Sequence, residues 1–249
     1  MQRFDKQVAL ITGAASGIGR ATAHRLASEG ASVFCIDLQE TALGETNQQL
    51  QAKGYKAATA LCDVTDEAHV KDAVEKCIAT FGKIDHLINM AGILRFDIFH
   101  ELAKADFEKI LSVNVTGTFL MCREAIPHLL KTQGSIVNAA STAAHQGIPW
   151  GGVYCASKGA LLSMTRSIAV EYAPQGIRAN TVSPGDIITE GMSSPSMPEG
   201  IDYSLMQRCM SLTGRKGPEV IAGVIAMLCS EDGKHITGED VRIDGGTRA

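Results

Sequence analysis

Short apolar runs alternate with longer helical stretches along nearly the whole chain, and that alternation leaves few folds open. The strand candidates are Val8–Thr12, Val33–Asp37, Ala57–Leu61, Ile84–Asn89, Ser135–Ala140, Arg178–Ser183 and Glu239–Ile243, the first ones mainly apolar and the last two richer in polar and charged residues. Helical patterns fall between them at about 17–29, 39–53, 66–81, 103–131, 153–173 and 218–230. Strands that read as unbroken apolar runs are buried on both faces, and the helices between them supply the covering layers. The pattern predicts an α/β fold, a doubly wound parallel sheet of about seven strands. Gly30, Gly54, Gly82, Gly134 and Gly176 stand at the helix ends, where a left-handed residue closes the last turn.

A length of 249 residues fits a single domain, 1–249, built on one core. Its one long, poorly patterned stretch is 186–213, rich in Pro, Gly and Ser, and a loop of that length is expected to act as a substrate-binding lid. A net charge of -4, without a dense Lys/Arg block, gives no basis for nucleic acid binding. Neither a secretory core near the start nor an apolar run of membrane-spanning length is present, so no membrane association is expected. Seven scattered cysteines without a Cys-x-x-Cys read as free thiols in a reducing cytoplasm. The seven histidines form no close ligand set, and no metal is expected.

The first strand runs into Thr12-Gly13-Ala14-Ala15-Ser16-Gly17-Ile18-Gly19 and then a helix. Gly13 permits a tight turn, while Gly17 and Gly19 allow a phosphate and the neighbouring strand to approach. Backbone N–H groups at such a helix start can hold a pyrophosphate, which makes the fold a dinucleotide-binding, Rossmann-type sheet. The Gly-x-x-x-Gly-x-Gly spacing is one residue longer than the commonest fingerprint. Asp37 ends the second strand, where a carboxylate accepts both ribose hydroxyls and repels a 2′-phosphate. Leu38 and Gln39 bring no compensating cation, so the expected cofactor is NAD. Asp63 is placed either to accept from the adenine amino group or to cap the helix beginning near Thr65.

Tyr154 and Lys158 lie four residues apart, on one face of a helix. A phenol with a pKa of about 10 is a poor base near neutrality, and a neighbouring ammonium favours the phenolate. The pair is a candidate proton-transfer device.

These pieces occur in a fixed order with Asp63-Val64, Asn89-Met90-Ala91-Gly92, Asn114-Val115-x-Gly117, Ser141, Pro184-Gly185-x-Ile187-x-Thr189 and Asp244-Gly245-Gly246. Taken together they resemble the short-chain dehydrogenase/reductase family over essentially the whole chain. The resemblance implies that Tyr154 exchanges a proton with an alcohol or ketone oxygen, and that Lys158 lowers its pKa and holds the nicotinamide ribose. Ser141 would hydrogen-bond the substrate oxygen, and Asn114 would place a water linking Lys158 to solvent. Gly13, Ser16, Gly17, Ile18, Gly19, Asp37, Leu38, Asp63 and Val64 would line the adenosine and pyrophosphate side. Asn89, Ala91 and Gly92 would close on the adenine ribose; Pro184, Gly185, Ile187 and Thr189 would pass the nicotinamide. Met90 stands where the family usually has a second Asn, which predicts altered hydrogen bonding at the centre of the sheet.

The substrate pocket is expected from the segment after Ser141, the stretch Ile93–Phe96 and the lid, with Ala143, His145 and Met192 as contacts beside Ser141 and Tyr154. The expected reaction interconverts a secondary alcohol and a ketone in an NAD-dependent way. A 3-oxoacyl-thioester reductase is one alternative, and a non-catalytic NAD-binding scaffold is another. The family resemblance also implies a homotetramer packed through the helices at 103–131 and 153–173, and the cysteine usage implies a cytoplasmic one.

Overall fold

The computed structural model describes residues 2–189 and 197–249. Seven strands form one parallel sheet: β1 Val8–Thr12, β2 Ser32–Asp37, β3 Ala57–Leu61, β4 His86–Asn89, β5 Ser135–Ala139, β6 Arg178–Pro184 and β7 Asp240–Ile243. Their order is β3-β2-β1-β4-β5-β6-β7. The order reverses between β1 and β4, and open parallel sheets bind ligands at the carboxyl ends of the strands flanking such a reversal. Thr12 and Asn89, in register with each other, end those two strands.

Alternating residues of each strand feed two cores, as a two-residue side-chain period requires. Leu10, Phe34, Ile36, Leu87 and Ile136 meet α3 (Glu67–Phe81), α5 (Gly117–Thr132) and α6 (Gly152–Tyr172). Ala9, Ile11, Val33, Cys35, Ile88 and Val137 meet α1 (Gly17–Ser28), α2 (Glu40–Ala52) and α7 (Glu219–Cys229). Burying a Leu or Ile side chain of this kind contributes about 1.5–3 kcal/mol relative to exposure, so both layers are held firmly against the sheet.

Three departures from the sequence pattern have local physical causes. The expected helix at 103–131 is divided into α4 (Lys104–Leu111), a π-helical turn at Ser112–Thr116 and α5. At the end of α5 the left-handed residue is Gln133, at φ 49°, rather than Gly134. Gly134 is needed instead for closeness, because a Cβ there would run into the Asp85 carbonyl oxygen. Finally, the stretch expected to be irregular contains a 3-10 helix at Tyr203–Cys209, and its stem is stitched by the Ile187–Lys216 bridge.

β4 begins on His86, which is buried between the Ser135 hydroxyl (2.8 Å) and the Gln7 side-chain carbonyl (2.7 Å). Desolvation holds its imidazole neutral and pulls its pKa down to about 3.

Candidate active site

The turn after β1 is built so that only glycine fits its tightest points. Gly13 sits at φ 66°, and a Cβ there would lie 2.7 Å from the Ala91 nitrogen. Thr12 holds the same two strand ends together, its hydroxyl accepting from the Met90 and Ala91 N–H groups at 3.0 Å each. α1 then begins at Gly17, with Ser16 extended at the N-cap and its hydroxyl making no capping bond. The first N–H groups of α1 therefore lack a side-chain cap, which leaves them free to receive an anion. Thr189 lies against Gly17 and Ile18 packs into the core below.

Arg20 and Thr46, neither of them evident from sequence, brace this turn from beneath. Arg20 Nε donates to Thr46 Oγ1 at 2.9 Å, and its Nη2 donates to the Ala15 carbonyl. The Thr46 hydroxyl in turn donates to the Ala14 carbonyl at 3.0 Å. An Arg and a Thr on exposed-looking helices carry no motif, so their role is visible only in three dimensions.

Asp37 is half-buried at the end of β2. One carboxylate oxygen accepts from Ala15 N–H and the other from Gln39 N–H, both at 3.0 Å. It therefore fixes the glycine-rich turn while retaining acceptor capacity, since each carboxylate oxygen has a second lone pair. Leu38 beside it is 68% exposed. Asp63 closes a local turn on Thr65, and the cap of α3 is Asp66, which accepts from Ala68 and His69. The capping role considered for Asp63 thus belongs to its neighbour three residues on. Val64 is buried and packs against Gly117.

Asn89 Nδ2 donates to Asn138 Oδ1 at 2.8 Å, and Asn138 Nδ2 donates to Thr165 Oγ1 at 2.9 Å. The sheet centre is thus tied together without an amide at position 90. Met90 instead packs its side chain against the core. The Asn89 Oδ1 atom is buried without a partner, an orphan acceptor beside the glycine-rich turn.

The first turns of α6 carry Tyr154 and Lys158, with Lys158 Nζ 5.5 Å from the centre of the Tyr154 ring. Lys158 is 4% exposed and donates to the Ala139 carbonyl at 2.7 Å. Burial lowers its pKa to about 8. The Tyr154 phenol is pushed up by burial, while the Ser141 hydroxyl pulls it back. This differs from the lowered phenol that sequence spacing suggests. The reason is that desolvation disfavours both charged forms, and Lys158 spends its ammonium on a main-chain carbonyl.

Asn114 lies in the π-helical turn and is fully buried. Its amide exchanges two bonds with the backbone of Ile93, at 2.8 and 3.0 Å, and donates to Ser157 Oγ at 3.0 Å. Gly92 lets this amide and the Lys158 ammonium converge: a Cβ there would lie 3.3 Å from Asn114 Oδ1 and 3.4 Å from Lys158 Nζ. Ser157, which no sequence signal marks, links Asn114 back to the Tyr154 carbonyl at 2.8 Å. Ser141 opens a 3-10 turn at Thr142–Ala144, its hydroxyl accepting from Ala143 N–H at 3.1 Å.

Beyond β6, Gly185 packs against Asp244, where a Cβ would lie 2.8 Å from the Asp244 Cα. Ile188 N–H donates to the Lys216 carbonyl at 2.8 Å, and Asp186 pairs with Arg215 at 2.8 Å. Of the residues expected to touch substrate, Ala143 is buried and His145 engages Asp240 through Nε2 at 2.7 Å. Met192 lies outside the described residues. Met210, in the same stretch, is exposed.

A separate cavity of about 610 Å³ opens at the opposite edge of the sheet, between Gln7, His86, Arg178 and Lys234. It lies at the amino ends of the strands, away from the Tyr154 cluster. No three His, Cys, Asp or Glu among the described residues gather as a metal-ligand set. No helix among them is long and apolar enough to cross a membrane. The glycine cradle, the uncapped α1 start and the orphan Asn89 oxygen all suit a dinucleotide, so the chain's residues fit such a cofactor.

Residues 13–248 match a protein-family model described as enoyl-(acyl carrier protein) reductase. The chain is 38% identical over 252 residues to a Thermotoga maritima protein described as an uncharacterized oxidoreductase, covering 99% of each. A 3-ketoacyl-(acyl-carrier-protein) reductase from Brucella melitensis, solved with NADH, superposes with a TM-score of 0.89 at 31% identity, covering 99% of this chain and 100% of that one. A short chain dehydrogenase from Burkholderia cenocepacia, solved with NADP, gives the same TM-score, identity and coverage.

Proposed function

The chain belongs to the short-chain dehydrogenase/reductase family, and we propose that it uses NAD to interconvert a secondary alcohol and a ketone, with Tyr154 as general acid and base. It is an oxidoreductase of the nicotinamide-dependent kind. The observation that carries the finer reading is the convergence of Tyr154, Lys158, Ser141 and Asn114 at the carboxyl edge of β4 and β5, beside the glycine-rich turn.

A nicotinamide cofactor supplies or accepts the hydride when bound; the chain supplies everything else. Gly13, Ser16, Gly17, Ile18 and Gly19 would hold the pyrophosphate, and Asp37 with Leu38 would take the adenosine ribose. Asp63, Val64, Asn89, Ala91 and Gly92 would close the adenine side, and Pro184, Gly185, Ile187 and Thr189 the nicotinamide side. In reduction, negative charge would develop on the substrate oxygen. Ser141 and Tyr154 donate there, where stabilisation acts on the transition state. Lys158 would hold the nicotinamide ribose, and its ammonium favours ionisation of Tyr154. Asn114 keeps a proton path from Lys158 towards solvent.

Residues 1–249 act as one domain, with 186–213, of which 190–196 lie outside the described residues, as the substrate-binding loop. The half-exposed Phe119 on α5 and Val170 on α6, 79% exposed, suit helix packing between copies in a homotetramer.

Asp37 without a neighbouring cation favours NAD over NADP. Against a thioester substrate carried on an acidic protein, two guanidinium groups bordering the site are already neutralised. Arg95 pairs with Asp97 and Asp106, and Arg215 pairs with Asp186. Initial rates with NAD(H) and NADP(H) on cyclic ketones, acetoacetyl thioesters and sugar-derived alcohols test this reading. An NAD-linked rate on a ketone or alcohol supports it, and exclusive use of NADP overturns the cofactor assignment.

A further inference from the structure

His145 is held from several sides by groups remote in sequence. Its Nε2 lies 2.7 Å from Asp240 Oδ2, and the Asp240 side chain is only 6% exposed. A carboxylate accepts only, so Nε2 carries the proton of this bond. The other Asp240 oxygen accepts from the Thr181 hydroxyl at 2.6 Å and the Ser183 hydroxyl at 2.8 Å. A carboxylate this buried is costly unless its lone pairs are met, and here β6 and the turn after β5 meet them together.

The backbone of His145 is fixed as well. Its N–H donates to the Thr142 carbonyl at 3.0 Å, and its carbonyl accepts from Arg248 Nη2 at 3.2 Å. These bonds close the 3-10 turn that Ser141 opens. At the other end of the segment, Ala140 N–H donates to the Val182 carbonyl at 2.9 Å. The short stretch carrying Ser141 is therefore pinned on both sides to β6 and β7.

We propose that His145 and Asp240 are positioning residues that set the Ser141 hydroxyl against the Tyr154 phenol. His145 does not take part in proton transfer; it acts through the turn. The inference rests on the reading of Ser141 as a donor to the substrate oxygen. Displacement of a positioned group by about 1 Å is enough to lower a rate by about 100-fold, so a brace on this turn carries real catalytic weight.

The chain has four tyrosines, so the ring-carbon resonance of Tyr154 can be assigned by ¹³Cζ labelling and the Tyr154→Phe variant. Ser141→Ala shifts that resonance, His145→Ala shifts it in the same direction, and His145→Gln, whose amide still donates to Asp240, restores it. In the Ser141→Ala background, His145→Ala adds no further shift. For the ketone reduced fastest in the panel, His145→Ala lowers kcat by about tenfold or more with the NADH Kd unchanged. A Tyr154 resonance unmoved by His145→Ala but moved by Ser141→Ala overturns the brace alone. A resonance unmoved by Ser141→Ala overturns the underlying placement of Ser141. Asp240→Asn, monitored alongside by thermal melting, separates either result from loss of the fold.

Discussion

Lys158 donates its ammonium to the Ala139 carbonyl oxygen at 2.7 Å, tying the Tyr154 face of α6 to the end of β5. The bond places a buried cation beneath the Tyr154 ring, and its pKa of about 8 follows from desolvation. Lys158→Met therefore removes a charge that folding has to desolvate. The unfolded lysine titrates near 10.4, so between about pH 8 and 10.4 the unfolded chain binds more protons, and stability rises with pH through that window. Urea melts of the cofactor-free protein should show this rise in the parent and none in Lys158→Met. The variant should also lose turnover by about 100-fold or more, as removal of an acid–base partner does.

Cofactor choice is expected to follow Asp37. Asp37→Ser keeps an oxygen for the Ala15 N–H and removes the charge that repels a 2′-phosphate. Relieving several kcal/mol of like-charge contact should shift the ratio of kcat/KM for NADPH over NADH upward by about 100-fold. An unchanged ratio, measured by steady-state rates, would place the discrimination elsewhere.

Acid should weaken the fold through His86. Its folded pKa is about 3, well below an unfolded value near 6.5. The unfolded chain takes up a proton across that interval, so the contribution is intact above about pH 6.5 and is lost as pH falls toward 3. His86→Gln, melted across the same range, should show a shallower loss. An identical pH dependence would assign the acid sensitivity to other groups.

Asn114 couples the π-helical turn to Ile93 and Ser157. Asn114→Ala leaves buried polar partners unpaired and should cost about 1–3 kcal/mol of stability. Turnover should fall as well, and the loss should exceed that of Ser157→Ala, which leaves the Ile93 bonds in place. Chemical denaturation and initial rates, run together, check both.

Much of the fold was legible because burial on both sheet faces writes strands as apolar runs. Val8–Thr12 and Ala57–Leu61 have the same bounds in sequence and structure. The Tyr154–Lys158 pair and the Gly13–Gly19 turn were legible because helical spacing and backbone approach restrict residue type. Other parts depend on contacts between distant segments and leave no local trace. Arg20 under the turn, Ser157 beside Asn114 and Asp240 behind His145 are of that kind. The π-helical turn was also hidden, since one extra residue within a helix barely disturbs its apolar period. The direction of the Tyr154 shift depends on how far the site is desolvated, which spacing alone does not report.

The most direct measurement pairs steady-state turnover with NADH binding for the parent and Tyr154→Phe. Phenylalanine keeps the ring and removes the proton. The expected result is a loss in kcat of about 100-fold or more, with the NADH Kd changed by less than about twofold. Parent-like turnover in Tyr154→Phe would contradict Tyr154 as the general acid and base.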